Sequence, residues 1–271
     1  MAITKIYKGA LERSDINKIY KGTTLLYEKL LPPSTALFYG GGAPSTVIKA
    51  DLDDLSTLNT SVSYVEGEDP SGVYCIASIV VDDTYVYVGG NDASPRTVKK
   101  YLKSDLSYVG QSPDNGVIIG TMAVDDTYIY VGGTGSIRTV RKYLKSNLSY
   151  VGQSPAYDGN IATIVIDDTH IYVGGVTSNS RVKKYLKSNL SYVGQSGKYG
   201  SWINTIAIDD THIYVGGANV NRVKKYLKSD LSYVGQTADY GSYINAIAVD
   251  DTYIYFGGHG GTVMKYLKSD L

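Results

Sequence analysis

The residues with the most obvious chemical capacity are paired carboxylates. Asp82-Asp83 recurs as Asp125-Asp126, Asp167-Asp168, Asp209-Asp210 and Asp250-Asp251, each pair followed by Thr. Two adjacent carboxylates can divide into acid and base, or hold a cation. A reaction needing one acid and one base has no use for five identical pairs. Asp is favoured at turns because its side chain bonds the backbone two residues on, so these pairs are read as turn residues. A Ca²⁺ loop needs more oxygen ligands, at alternating positions, than Asp-Asp-Thr supplies. His170 and His212 occupy one position of the recurring phrase, where other copies carry Tyr, and His259 lies in a loop. Equivalent positions in separate repeats point in different directions, so no shared metal is expected. Cys75 is the single cysteine, which rules out an intramolecular disulfide; in a strand it reads as a small core residue. There is no Gly-x-Ser-x-Gly, His-Glu-x-x-His or phosphate loop, and Gly89-Gly90 and its copies read as turn glycines. No enzyme activity, cofactor or metal is expected.

Recognition by aromatic and cationic side chains is the remaining chemistry, and its position depends on the elements that carry it. Asp82-Asp83-Thr84-Tyr85-Val86-Tyr87-Val88-Gly89-Gly90 recurs from Asp125, Asp167, Asp209 and Asp250. Tyr101-Leu102-Lys103-Ser104-Asp105-Leu106 recurs from Tyr143, Tyr185, Tyr226 and Tyr266, and the two phrases together give a spacing of 40 to 43 residues. Each unit divides into four strands. Strand A is an apolar run such as Ile203 to Ile208, and strand B is the Tyr/Val stretch ending in Gly-Gly. Strand C is Val-Lys-Lys-Tyr-Leu, and strand D is Ser-Tyr-Val-Gly. Four strands in roughly 40–45 residues is the size of a propeller blade. The 30 Gly and 27 Tyr, against 2 Phe and 1 Trp, agree with an all-β chain.

A weaker first copy shows strand B at Thr35 to Gly41, strand C at Thr46 to Leu52 and strand D near Ser61 to Glu66. The expected fold is therefore an all-β, six-bladed β-propeller of four-stranded antiparallel blades. The last unit reaches Lys268-Ser269-Asp270-Leu271 before any strand D. Arg13-Ser14-Asp15-Ile16, leading into Asn17-Lys18-Ile19-Tyr20, echoes that phrase. Residues 1–34 are thus expected to be a closure or attachment segment and residues 35–271 the repeats. In the closure reading Ile16 to Lys21 pairs with Val263 to Leu267, and Thr24 to Leu31 is strand A of the first blade. Pairing the two termini removes open sheet edges. In the other reading residues 1–34 form a separate attachment hairpin.

The A–B and C–D turns barely vary between units, whereas the B–C and D–A loops diverge. Strands alternate in direction, so one end of each blade is uniform and the other diversified. Loops on a rigid scaffold carry recognition or simply tolerate change. The diversified end holds Tyr157, Tyr199, Trp202, Tyr240 and Tyr243, which suit sugar or protein surfaces. Arg96, Arg138, Arg181 and Arg222 recur at the start of strand C, as ligand contacts or as partners of Asp and Tyr between blades. With 26 basic and 26 acidic residues there is no electrostatic footprint for nucleic acid. No stretch of about 18 apolar residues suggests membrane insertion, and the N-terminus lacks the apolar core of a signal peptide.

Thr4-Lys5-Ile6-Tyr7-Lys8-Gly9 and Asn17-Lys18-Ile19-Tyr20-Lys21-Gly22-Thr23-Thr24-Leu25-Leu26-Tyr27-Glu28-Lys29 resemble openings of tail-associated structural proteins of phages and prophages of Gram-positive bacteria. The Asp-Asp-Thr-Tyr-Ile-Tyr-Val-Gly-Gly body resembles propeller repeats found in such proteins and elsewhere. The resemblance implies a virion tail or baseplate component, made in the cytoplasm and assembled into a particle. As an adhesin it would bind a cell-surface glycan or protein through the diversified loops. As a scaffold or spacer it would dock other virion or tail subunits.

Overall fold

Alternating Tyr and Val set between Asp-Asp turns and Gly-Gly pairs suit pleated strands joined by tight reversals. The computed structural model describes residues 18–21, 24–28, 36–40, 46–51, 57–61, 75–91 and 95–271. Apart from a 3-10 turn at Lys268–Asp270, the regular structure among them is all strand.

Four sheets have four strands in sequence order. The first is β6–β9: Cys75–Val81, Tyr85–Asn91, Lys99–Leu102 and Tyr108–Gln111. Next come β10–β13: Ile118–Val124, Tyr128–Thr134, Arg141–Leu144 and Tyr150–Gln153. β14–β17 are Asn160–Ile166, His170–Val176, Lys183–Leu186 and Tyr192–Gln195. β18–β21 are Ile203–Ile208, His212–Gly217, Lys224–Leu227 and Tyr233–Gln236. Two sheets have three strands: β3–β5 (Ala36–Gly40, Val47–Asp51, Thr57–Thr60) and β22–β24 (Ile244–Val249, Tyr253–Gly258, Val263–Leu267). β1 (Lys18–Lys21) and β2 (Thr24–Glu28) form a separate antiparallel hairpin. The chain divides into two compact units, Met1–Ile129 with Leu144–Tyr150 and Tyr130–Tyr143 with Val151–Leu271, the division falling within the β10–β13 sheet.

The repeats are the expected strands A to D, with corrections in the first copy. Its strand D is β5 at Thr57–Thr60, not Ser61 to Glu66. Ala50 pairs with Thr57 as Tyr101 pairs with Tyr108, and Ser61 then repeats the part of Ser112. The Val47 N–H donates to Ser61 Oγ at 2.9 Å, just as the Val98 N–H donates to Ser112 Oγ at 2.9 Å. β2 pairs with β1 rather than acting as strand A beside β3, and β24 has β23 as its sheet partner. The expected segments at residues 4–9, 13–17, 29–31 and 62–66, and the loop residues Asp92 to Ser94, lie outside the described residues.

Four A–B pairings slip by one residue near their start. Ile203 faces Gly217 and Thr205 faces Gly216, which leaves Asn204 as the extra residue of a bulge. The same slip occurs between Ile76 and Ser78, Ile161 and Thr163, and Ile244 and Ala246. Beyond the bulge, strand B needs a residue without a side chain. A Cβ on Gly132 would lie 2.7 Å from Ile161 Cγ2 and 2.9 Å from Ile164 Cδ1; on Gly216 it would lie 2.7 Å from Ile244 Cγ2. Strand-A isoleucines of one repeat thus seat on the glycine of the repeat before. Burying each such side chain is worth roughly 1.5–3 kcal/mol. At the C–D turns Leu106, Leu148, Leu190 and Leu231 take φ of 58°, 61°, 63° and 64°. Left-handed backbone disfavours Leu, but all four side chains are buried.

Candidate functional site

The carboxylate pairs resolve into a structural and a solvent-facing member. Asp167 Oδ1 accepts the N–H groups of Thr169 (2.9 Å) and His170 (2.7 Å). Its Oδ2 accepts the Tyr172 hydroxyl at 2.8 Å and pairs at 3.0 Å with Lys228, which belongs to the next repeat. Asp82 repeats the set with Thr84, Tyr85, Tyr87 and Lys145, and Asp209 with Thr211, His212, Tyr214 and Lys268. Burial alone would raise the Asp167 pKa. The Thr169 N–H, Lys228, the His170 N–H and the Tyr172 hydroxyl outweigh it and hold the carboxyl well below the usual range. The second members, Asp83, Asp168 and Asp210, are exposed. The first carboxylate is thus a turn residue, as expected, and also a fastener between repeats.

A second fastener escaped the sequence reading. The second Lys of strand C is buried in Lys100, Lys142, Lys184 and Lys225. Each ammonium donates to main-chain carbonyls of the next repeat's C–D turn: Lys100 to Lys145 O at 2.9 Å, Lys142 to Lys187 O at 2.6 Å, Lys184 to Lys228 O at 2.7 Å, Lys225 to Lys268 O at 2.7 Å. The only available signal was that this Lys never varies between the strong copies.

Most of the expected recognition residues prove to be anchors. Tyr157 (3% exposed) and Tyr199 (1%) lie inside, which corrects their assignment to a ligand surface. Their hydroxyls donate to Arg181 O and Arg222 O, both at 2.9 Å, and burial pushes the Tyr157 phenol up to about 12. Tyr240 is half-buried; its hydroxyl donates to Thr262 O at 2.7 Å and its ring meets Phe256 edge-on at 5.7 Å. The arginines are tied to the backbone of their own loops. Arg138 donates to Asp158 O at 3.4 Å, Arg181 to Ser196 O at 3.0 Å and Arg222 to Thr237 O at 3.4 Å, with Asp239 3.7 Å away. Arg96 buries its Nε without a hydrogen-bond partner. Arg138, Arg181 and Arg222 thus hold strand C to the D–A loop.

Of the expected aromatic residues, two remain open to solvent, and Arg138 is exposed as well. Trp202 is 46% exposed and Tyr243 38% exposed, each immediately before strand A of its sheet. The Trp202 and Tyr243 carbonyls accept the N–H groups of Ala218 and His259, which fixes the loops beside them. The Tyr243 ring lies 5.4 Å from the exposed His259 ring. His170 and His212 stand apart, each with Nδ1 2.7 Å from the preceding Thr hydroxyl. Cys75 is partly buried and free. Among the described residues no group of three or more His, Cys, Asp or Glu is placed to hold a metal, and no helix is long and apolar enough to cross a membrane.

No family model matches the chain, and no curated protein does. Solved structures do. The computationally designed Ika8 protein superposes with a TM-score of 0.69 at 15% identity, over 84% of this chain and 66% of that one. The chain thus spans just under two thirds of that protein. The WD40 β-propeller domain of Doa1 superposes with a TM-score of 0.66 at 14% identity, over 85% of this chain and 74% of that one. At such identities the likeness shows fold alone: the repeats are β-propeller-like.

Proposed function

We propose that the chain is a non-enzymatic binding module of a phage-type particle, a tail- or baseplate-associated adhesin that contacts a host-surface glycan or protein. One observation carries this reading. The conserved-looking parts of the repeat are engaged in fastening repeat to repeat, whereas the divergent loops leave Trp202 and Tyr243 uncovered. Large aromatics exposed on a rigid frame favour recognition. The virion setting rests on the opening segments around Thr4 and Asn17, and the engagement of Asp82, Asp167 and Asp209 with lysines of the following repeats supports a structural part for the first carboxylate of each pair.

The architecture that goes with it is a six-bladed ring closed by the N-terminal segment. Aligned on Ser14-Asp15 and Ser104-Asp105, β1 at Lys18–Lys21 falls opposite Tyr108–Gln111, which supports reading β1 as a strand D. β24 has one sheet partner among the described residues, and a strand has two edges. The hairpin with β2 therefore leaves β1 an edge to offer.

A scaffold that docks other particle subunits is the second reading. Tyr108, Val109, Tyr150, Val151, Tyr192, Val193, Tyr233 and Val234 on the outer strands are all about half exposed, a repeated apolar edge suited to protein contacts. Binding to host cells separates the two. Wild type should bind, folded Trp202→Ala should lose binding, and the folded fraction of Asp209→Ala should keep it. Normal binding by Trp202→Ala with loss in Asp209→Ala would place the ligand at the opposite sheet ends. Wild type binding no plausible host would leave the scaffold.

A further inference from the structure

The geometry points to a saccharide-stacking site shared by the β18–β21 and β22–β24 sheets, built from Trp202, Tyr243, Asn204, Asn245 and His259, which takes a neutral oligosaccharide. This rests on the adhesin reading and narrows it to one place and one ligand chemistry.

The site begins with the bulge. A bulge interrupts the ladder and re-aims the side chain of its extra residue. That residue is Ala77 in β6 and Ala162 in β14, but Asn204 in β18 and Asn245 in β22. Two residues ahead of the bulge position stand Cys75, Asn160, Trp202 and Tyr243 in the same order. The combination of an aromatic and a bulge amide thus occurs only in β18 and β22 among these four strands, and β18 packs beside β22. The two amides meet directly: Asn204 Nδ2 donates to Asn245 Oδ1 at 3.0 Å. A longer bond from Asn204 Nδ2 to Ile244 O, at 3.4 Å, joins the repeats at the same point. Asn245 is exposed, and its carbonyl is already engaged, so its NH₂ group is the donor left for a ligand.

The polar groups here are amides and one imidazole, with an exposed aromatic two residues ahead of each amide. That is the chemistry of sugar recognition: the apolar face of a pyranose lies on a ring while amides bond its hydroxyl pairs. A single-stranded nucleic acid would need a cationic groove. Lys183 is tied to Asp158 at 2.7 Å and Lys224 to Tyr199 O at 2.9 Å, and the one exposed lysine of the loop before Trp202, Lys198, does not by itself make such a groove. Trp202 and Tyr243 belong to successive repeats, and a ligand with more than one sugar ring can stack on both, so the proposed ligand is an oligosaccharide.

Trp202 is the only tryptophan in the chain, so its fluorescence reports the site directly. The full chain is titrated with neutral hexasaccharides of glucose, galactose, mannose and N-acetylglucosamine, and with oligothymidylate. At least one hexasaccharide should give a saturable change, with its monosaccharide much weaker. Tyr243→Ala and Asn245→Ala should each weaken it by about tenfold or more, whereas Asn160→Ala should not change it. No saturable response to any hexasaccharide, a response to oligothymidylate only, or undiminished affinity in folded Tyr243→Ala and Asn245→Ala overturns the proposal. Host-cell binding is read separately. If wild type adheres and Tyr243→Ala and Asn245→Ala adhere equally well, the saccharide site is wrong while the adhesin stands. If wild type does not adhere at all, the adhesin reading fails on its own.

Discussion

Asp209 gathers five bonds on one carboxylate: two turn N–H groups, the Thr211 hydroxyl at 3.3 Å, the Tyr214 hydroxyl and Lys268 at 2.6 Å. Removing it strands a phenol and an ammonium in a mostly buried place. Asp209→Ala should cost about 2–4 kcal/mol, seen as a lower urea midpoint at an unchanged slope. Asp210→Ala, next along the chain and exposed, should stay within about 0.5 kcal/mol of wild type. The same residues set the acid response. Asp167 and Asp209 have pKa values depressed in the folded state, so their contribution is complete above the unfolded value of about 4 and is lost as pH falls below it. His170 and His212 also have lowered pKa values. Burial is the first cause, then the adjacent strand-C ammonium, Lys184 or Lys225; Asp167 or Asp209 opposes. Their neutral forms suit the fold, so stability falls as pH drops below about 6.5. The melting temperature should therefore decline in two stages, the first between about pH 6.5 and 5. The double variant His170→Tyr/His212→Tyr, which installs the residue of the other copies, should flatten the first stage and keep the second. An unaltered first stage would assign it to other groups.

The strands themselves were legible because Tyr/Val alternation and Asp, Gly and Asn punctuation act locally. What acts between repeats was not. Lys100 sits in a plainly strand-like Val-Lys-Lys-Tyr-Leu, yet it is 4% exposed, because its partners are carbonyls 45 residues further on. Loop position was legible for Tyr157 and Trp202 alike, but not which would be buried. The distinguishing feature is place in the loop: the phenols of Tyr157 and Tyr199 reach the main-chain carbonyls of Arg181 and Arg222, whereas Trp202 and Tyr243, immediately before strand A, stay open. The glycines show the same division. Gly216→Ala should cost about 1–3 kcal/mol, because its Cβ would press on Ile244 and Ile247. Gly194→Ala on the outer strand meets nothing within 4 Å and should be neutral or slightly stabilising. Comparing the two melting temperatures separates packing between repeats from a general need for glycine in strands.

At the scale of the molecule the repeat was legible, and the echo of Lys268-Ser269-Asp270-Leu271 in Arg13-Ser14-Asp15-Ile16 is what suggested closure, since a strand's second partner leaves little mark on the strand itself. Exposure shows where a partner is missing. Val98, Val140, Val182 and Val223 are at most 1% exposed, whereas Val263, at the same place in β24, is 50% exposed. In the proposed closure the free edge of β1 covers it. That makes a local claim as well as a global one. Deleting residues 1–22 should lower the melting temperature by at least about 5 °C, the consequence of losing roughly 2 kcal/mol in a chain of this size. A drop alone would not decide the matter, because the deletion also takes β2's partner. Hydrogen exchange at Val263–Leu267 does: the amides that point away from β23 should be protected in the full chain and exchange freely after the deletion. Equal, rapid exchange of those amides in both would assign the β1–β2 hairpin to attachment and leave the β22–β24 edge for another strand.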